Sequence, residues 1–312
     1  MISKIFYSIS IFTIGSVGGA LLGTFYFSKK LSFKDSSLND LSLKKVGTFN
    51  EIINPYRIFD FCDPRPVHDL IVRKGYISSY NRQTRVPSWS TTEITSESLK
   101  MNNSNRKFSK FKEDETIDLK FRSKISDYFR SGYDRGHLIP AANVKFSQDA
   151  LDETFYLTNI APQVGEGFNR NYWFYFEEFS RSLKSKFEYV SIINGPLYLP
   201  KKDPDGKWRV TYEMIGDPPN VAVPTHFFSI IYARDTSDDT VAVGSFVIPN
   251  TRIDDDTKLI EFATPISAIE RASGLDFTYK FGKKQKELCK SVECDVQQFI
   301  RKAHWSSAPI KT

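Results

Sequence analysis

Short apolar runs separated by turn formers organise most of this 312-residue chain. Residues 155–160, 189–194, 208–215, 225–233 and 241–249 are rich in aromatic and branched side chains, a pattern that predicts strands. Asp205 and Gly206 make a hairpin-type turn between two of them. Residues 171–186 and 265–272 instead repeat apolar positions at helical spacing, with Gly274 placed to stop the second helix. Strands and helices mixed in this way predict an α+β fold around a central, largely antiparallel sheet flanked by helices. No internal repeat and no second linker follows, so residues 51–312 read as one domain.

The first fifty residues break the pattern. Nothing from Ile5 to Ser28 is charged, a run longer than the roughly 20 residues a helix needs to cross a bilayer. It also exceeds the apolar core of a secretory signal. Residues 1–30 are therefore predicted to form a hydrophobic helix that anchors the chain in a membrane through residues 5–28. Residues 31–50 have no sustained period and read as a solvated tether. Gly15, Gly19 and Gly23 mark one helix face where another helix can approach closely. Lys29, Lys30 and Lys34 outnumber Lys4, a bias towards a cytoplasmic body that import into an organelle need not obey.

Charge adds little: 43 Lys and Arg against 37 Asp and Glu leave +6, half of it from Lys4, Lys29 and Lys30. So mild a balance permits a polyanionic partner but does not argue for one. With 40% hydrophobic residues and 3 Cys, the chain is neither disordered nor a disulfide-stapled scaffold. Cys289 and Cys294 are expected to be free or buried thiols rather than a bridge, and Lys201, Lys202 and Lys207 to be solvated. No zincin, Cys-x-x-Cys or phosphate-loop sequence occurs.

Two clusters carry chemistry. In Tyr133-Asp134-Arg135-Gly136-His137 an imidazole able to take a proton near neutrality stands beside a guanidinium fork suited to phosphate, which suggests phosphodiester hydrolysis. The alternative is a surface Asp134–Arg135 pair and a merely hydrogen-bonded His137. Asn169, Trp173 and Glu177 are spaced to share one side of a helix. An amide oxygen with a carboxylate behind it suits a hard, partly hydrated cation such as Mg²⁺. Here the alternative is a helix N-cap at Asn169 and an exposed charge at Glu177. His226, in an apolar run, reads as structural.

Tyr133 to Ala142, Phe155 to Gln163 and Asn169 to Trp173, in that order, resemble the DNA/RNA non-specific endonucleases. Tyr80 to Arg85, Asn194 to Pro200 and Val221 to Phe228 extend the likeness over about residues 60–275, and it narrows to the fungal, mitochondrial branch. The resemblance implies a ββα-metal (His-Me finger) fold and a Mg²⁺- or Mn²⁺-dependent endonuclease that cuts single- and double-stranded DNA and RNA, leaving 5′-phosphate ends. It implies His137 as general base, Asn169 as the direct protein ligand of the metal and Glu177 as the residue that orients the metal's waters. Arg135 would bind the scissile phosphate, Asp134 would hold the motif's geometry, Asn159 would support the site, and Arg85 is a second candidate substrate contact. A homodimer is implied too. With the anchor, the expected location is the mitochondrial inner membrane, the nuclease domain facing the intermembrane space. Gly165-Glu166-Gly167 is a departure, a longer and more flexible approach to Asn169. The rival reading is a membrane-tethered nucleic-acid-binding protein without catalysis.

Overall fold

The computed structural model describes residues 64–100, 104–235, 240–277 and 284–307. The predicted N-terminal helix and tether lie outside these residues. Among the described residues no helix is long and apolar enough to cross a membrane.

The strands of three residues or more are β1 (Asp69–Val72), β2 (Ile77–Asn81), β3 (Val86–Ile94), β4 (Tyr133–His137), β5 (Ile160–Val164), β6 (Tyr189–Leu197), β7 (His226–Arg234), β8 (Val241–Pro249) and β9 (Gln285–Glu287). The principal helices are α1 (Gln148–Glu153), α2 (Trp173–Ser182), α3 (Ile266–Ser273) and α4 (Gln297–Ser307). One seven-stranded sheet runs in the order β1-β2-β3-β6-β7-β8-β9. All its neighbours are antiparallel except the parallel pair β8 and β9. The α+β expectation with a central, largely antiparallel sheet holds.

Burial follows position in the sheet. Strands β6 and β7 are buried almost throughout, as both of their faces are covered, whereas β8 alternates along most of its length. On one face α2 seats its aromatic side: Trp173 lies 5.6 Å from Phe227, and Phe176 lies 5.7 Å from Phe246, ring centre to ring centre. The other face is crossed by the segment after α3, where Phe277 meets Phe228. A row of buried polar residues also runs across the sheet, Ser78 opposite Ser90, Ser90 opposite Asn194, and Asn194 opposite Ser229. The Ser78 and Ser90 hydroxyls bond each other, while the Thr91 hydroxyl donates to the Ile192 carbonyl. Polar residues of this kind hide β2 and β3 from a hydrophobic pattern, and neither was anticipated.

Three expectations are corrected. Residues 155–160 are not a strand: Leu157–Asn159 forms a 3₁₀ turn, and pairing begins at Ile160. The Asn159 N–H donates to the Tyr156 carbonyl within the turn and the Leu157 N–H to the distant Lys112 carbonyl, so this backbone is satisfied without a strand partner. Residues 208–215 contain only the two-residue strands Trp208–Arg209 and Met214–Ile215. Arg209 is drawn to Asp203 and Asp205 across the turn, and the intervening residues are exposed rather than laid on a core. Cys289 and Cys294 form a disulfide, with their Cα atoms 5.2 Å apart. The chain reverses there, the Val292 N–H bonding the Leu288 carbonyl, which brings two thiols close to the core to bridging distance.

Candidate active site

Strands β4 and β5 pair as a two-stranded antiparallel sheet, with Arg135 opposite Pro162 and His137 opposite Ile160. Because side chains alternate, Arg135 and His137 point to the same face of β4. Helix α2 completes the unit. Its approach is a kinked, wide turn over Gly165–Tyr172, in which Gly167 takes a positive φ of 81°. A Cβ there would meet Arg252 at 2.4 Å, so glycine serves both backbone and packing. The Asn171 amide oxygen accepts from the Gly167 N–H, closing the turn that delivers Asn169.

His137, Arg135, Asn169 and Glu177 line one cavity of about 220 Å³, together with Arg106, Arg170, Phe174 and Arg181. At about 30 Å³ per water, that is space for roughly seven waters. His137 is only 8% exposed. Its ring lies 4.7 Å from Phe155 and 5.5 Å from Phe111. Burial pushes its pKa down to about 3, and the Arg106 charge acts in the same direction. Its buried Nε2 has no hydrogen-bond partner among the described residues. The Arg135 guanidinium stacks 4.8 Å from the Phe111 ring centre and forms no ion pair among the described residues. A cation held by a ring face keeps its forked donors available to an anion.

Asp134 is committed elsewhere. It accepts from Arg170 Nε and Nη2 at 2.8 and 2.6 Å and from Asn169 Nδ2 at 2.9 Å. Burial raises its pKa, but these hydrogen bonds outweigh it and hold the carboxyl below the ordinary carboxylate range. A carboxylate only accepts, so the contact orients the Asn169 amide and leaves Oδ1 as its acceptor end. Glu177 is partly buried and pushed up to about 7 by burial, against the lowering charges of Arg181 and Arg106. No group of three or more His, Cys, Asp or Glu that could hold a metal occurs among the described residues. The donor set is thus one amide oxygen and one carboxylate. That set fits a hard cation which keeps most of its waters and does not fit zinc.

Asn159 does not reach the cavity. It is fully buried, its amide donating to the Ile139 and Thr154 carbonyls and accepting from the Ile139 N–H. It braces the chain two residues after His137. Arg85 is not brought into the site either: its guanidinium bonds the Gln83, Asn220 and Lys120 carbonyls. Trp173 is fully buried in the core against Phe168, and its indole also acts on the Glu177 carboxyl one helical turn further on. Three cavity arginines were missed, and the first, Arg170, directly follows Asn169 in the chain. Arg181 follows Glu177 by one helical turn, a signal present in the spacing; Arg106 comes from a segment without periodicity, where no signal exists.

The model of the DNA/RNA non-specific endonuclease family matches residues 57–284, a span that holds every residue of this cavity. The chain belongs to this family. The endonuclease is similar to the mitochondrial nuclease of Saccharomyces cerevisiae, 54% identical over 250 residues that cover 78% of this chain and 76% of the relative. It is 44% identical to the mitochondrial nuclease 1 of Schizosaccharomyces pombe, with 96% of each chain covered. Among solved structures, the crystal structure of the EndoG/EndoGI complex has a TM-score of 0.69 at 40% identity, covering 72% of this chain and 93% of that one. The likeness is thus to fungal endonuclease G-like nucleases, and the fold is that of the ββα-metal nucleases. The endonuclease is a hydrolase of DNA and RNA, which sets aside the non-catalytic alternative.

Proposed function

We propose that the endonuclease cuts DNA and RNA by attack of water on a phosphate gripped at Arg135, with His137 as the general base. The observation that carries this reading is a buried, neutral imidazole sharing one cavity with an arginine that forms no ion pair among the described residues. The oxygen of water bonds to phosphorus, the bond from phosphorus to the 3′-oxygen breaks, His137 takes the proton from water, and solvent returns one to the leaving oxygen. The products are a 5′-phosphate and a 3′-hydroxyl. Asn169 through Oδ1, and Glu177 through water, would hold Mg²⁺ or Mn²⁺, which when bound supplies positive charge to the phosphorane-like transition state. Asp134 keeps the Asn169 amide turned outward and Arg170 neutralised. Asn159 supports the exit of β4 from behind. Gripping phosphate rather than base edges makes the site indifferent to sequence and sugar.

The mitochondrial names of the fungal relatives support a mitochondrial location. The uncharged run from Ile5 to Ser28 supports an inner-membrane anchor, with the nuclease facing the intermembrane space. A homodimer rests on the family likeness. The test is cleavage of a closed DNA circle and a single-stranded RNA by the purified chain with Mg²⁺, with Mn²⁺ and with chelator, and by His137→Ala. Loss of both activities on chelation and in His137→Ala is expected; undiminished cutting by His137→Ala would remove His137 as the base.

A further inference from the structure

Beside the catalytic cavity lies a larger one of about 710 Å³, within the ordinary range of ligand pockets. The two share Arg106, Ala141, Ala142 and Phe174 in their walls, so the second cavity adjoins the one that holds Arg135. Phe108 and Phe174 line it, and Leu151 adds a buried apolar wall. Phe108 is 74% exposed and Phe174 43% exposed, the former on a short 3₁₀ turn (Arg106–Phe108) that buries none of its residues. Neither exposure is explained by the core. Lys145 and Arg106 bring positive charge to the same walls, and the acid among them, Glu178, is neutralised by Arg181 at 2.7 Å.

Exposed aromatic faces with cations beside them, one step from a phosphate grip, match the chemistry of an unpaired nucleobase and its backbone. We propose that this cavity takes the base next to the scissile phosphate, stacked on Phe108 and Phe174, so that the enzyme favours single-stranded or unstacked nucleic acid. The inference rests on the active-site reading above. A base inside a duplex is paired and stacked, and reaching the cavity requires it to leave the helix. Stacking on an aromatic face is tolerant of base identity, which is compatible with a sequence-indifferent nuclease.

The test uses the full chain and two single-stranded substrates, oligothymidylate and an oligomer of abasic deoxyribose phosphates. Wild type is expected to cut oligothymidylate with a kcat/KM about tenfold higher or more, the equivalent of about 1.4 kcal/mol of stacking. Phe108→Ala is expected to lose that preference without changing cleavage of the abasic strand, and Phe108→Trp to retain it. Equal effects of Phe108→Ala on both strands, or none on either, would overturn the proposal. Binding of a 2-aminopurine oligomer separates this failure from failure of the catalytic reading. Quenching of the probe that requires Phe108 upholds the base cavity even in a protein that cuts nothing, and quenching that Phe108→Ala leaves intact overturns it in a protein that cuts normally.

Discussion

Gly136 lies between Arg135 and His137, the proposed phosphate grip and base, and the structure explains why nothing larger fits. Across the hairpin, the fully buried Gln163 lays its side chain over the Gly136 Cα. A Cβ at position 136 would stand 2.0 Å from Gln163 Oε1, 2.1 Å from Cδ and 2.4 Å from Cγ. Ordinary contact begins near 3.4 Å, so the shortfall is about 1.4 Å. A flexible side chain elsewhere would swing away, but Gln163 is enclosed and three of its atoms obstruct, so β4 must move from β5. Overpacking of this kind costs about 1–3 kcal/mol. The functional penalty is larger, because Arg135 and His137 flank Gly136 on the displaced strand. A misplacement of about 1 Å costs on the order of 10²-fold in rate. Gly136→Ala should therefore lower kcat/KM on supercoiled DNA by about 100-fold while urea denaturation shows a folded protein weakened by about 1–3 kcal/mol. Adding Gln163→Ala removes the obstruction and should recover most of the activity. Wild-type activity in Gly136→Ala, or a double variant as inactive as the single one, would refute the steric argument.

Other consequences can be measured as directly. The folded-state pKa of His137 lies at about 3, below its ordinary 6.5, so the unfolded chain binds more protons and stability falls as pH drops from 6.5 towards 3. By pH 5 this amounts to about 2 kcal/mol, present in wild type and absent in His137→Gln, read by urea melts at both pH values. The same shift keeps His137 neutral, so protonation of this imidazole, followed by NMR on the wild-type protein, should not occur above pH 5. Asp134→Ala removes the acceptor that orients Asn169 and the partner of Arg170; a loss of about 10–100-fold in metal affinity or activity is expected from metal titrations of cleavage. Replacing Cys289 and Cys294 together by Ser releases a short loop, of sequence separation 5, and should lower stability by about 2 kcal/mol. Unchanged melting and free thiols in native protein would dispose of the bridge.

The chemistry of this protein is legible in its sequence where the reacting groups are close in the chain. Asp134, Arg135, Gly136 and His137 lie on one strand, and alternation alone puts Arg135 and His137 on one face. Glu177 and Arg181 are a helical turn apart, so their shared wall of the cavity follows from spacing. Strands β6, β7 and β8 are legible for a similar reason, since two-sided or alternating burial writes itself into apolar runs. Strands β2 and β3 are not, because their buried Ser and Thr hydroxyls are satisfied across the sheet by one another and by a backbone carbonyl, and only the pairing reveals that. The pairing of Cys289 with Cys294 depended on a chain reversal that spacing does not specify.

Tertiary structure alone decided the electrostatics. The imidazole of His137 stays neutral because Phe111 and Phe155, from separate segments, enclose it, and Arg106 reaches the same cavity from a stretch with no pattern of its own. Arg85 matched a motif, yet its donors are spent on carbonyls of distant residues. Local order along the chain supplies the reacting groups and their facing; dielectric, proton affinity and the freedom of each charge depend on what packs around them, and that is settled by contacts between residues far apart in sequence.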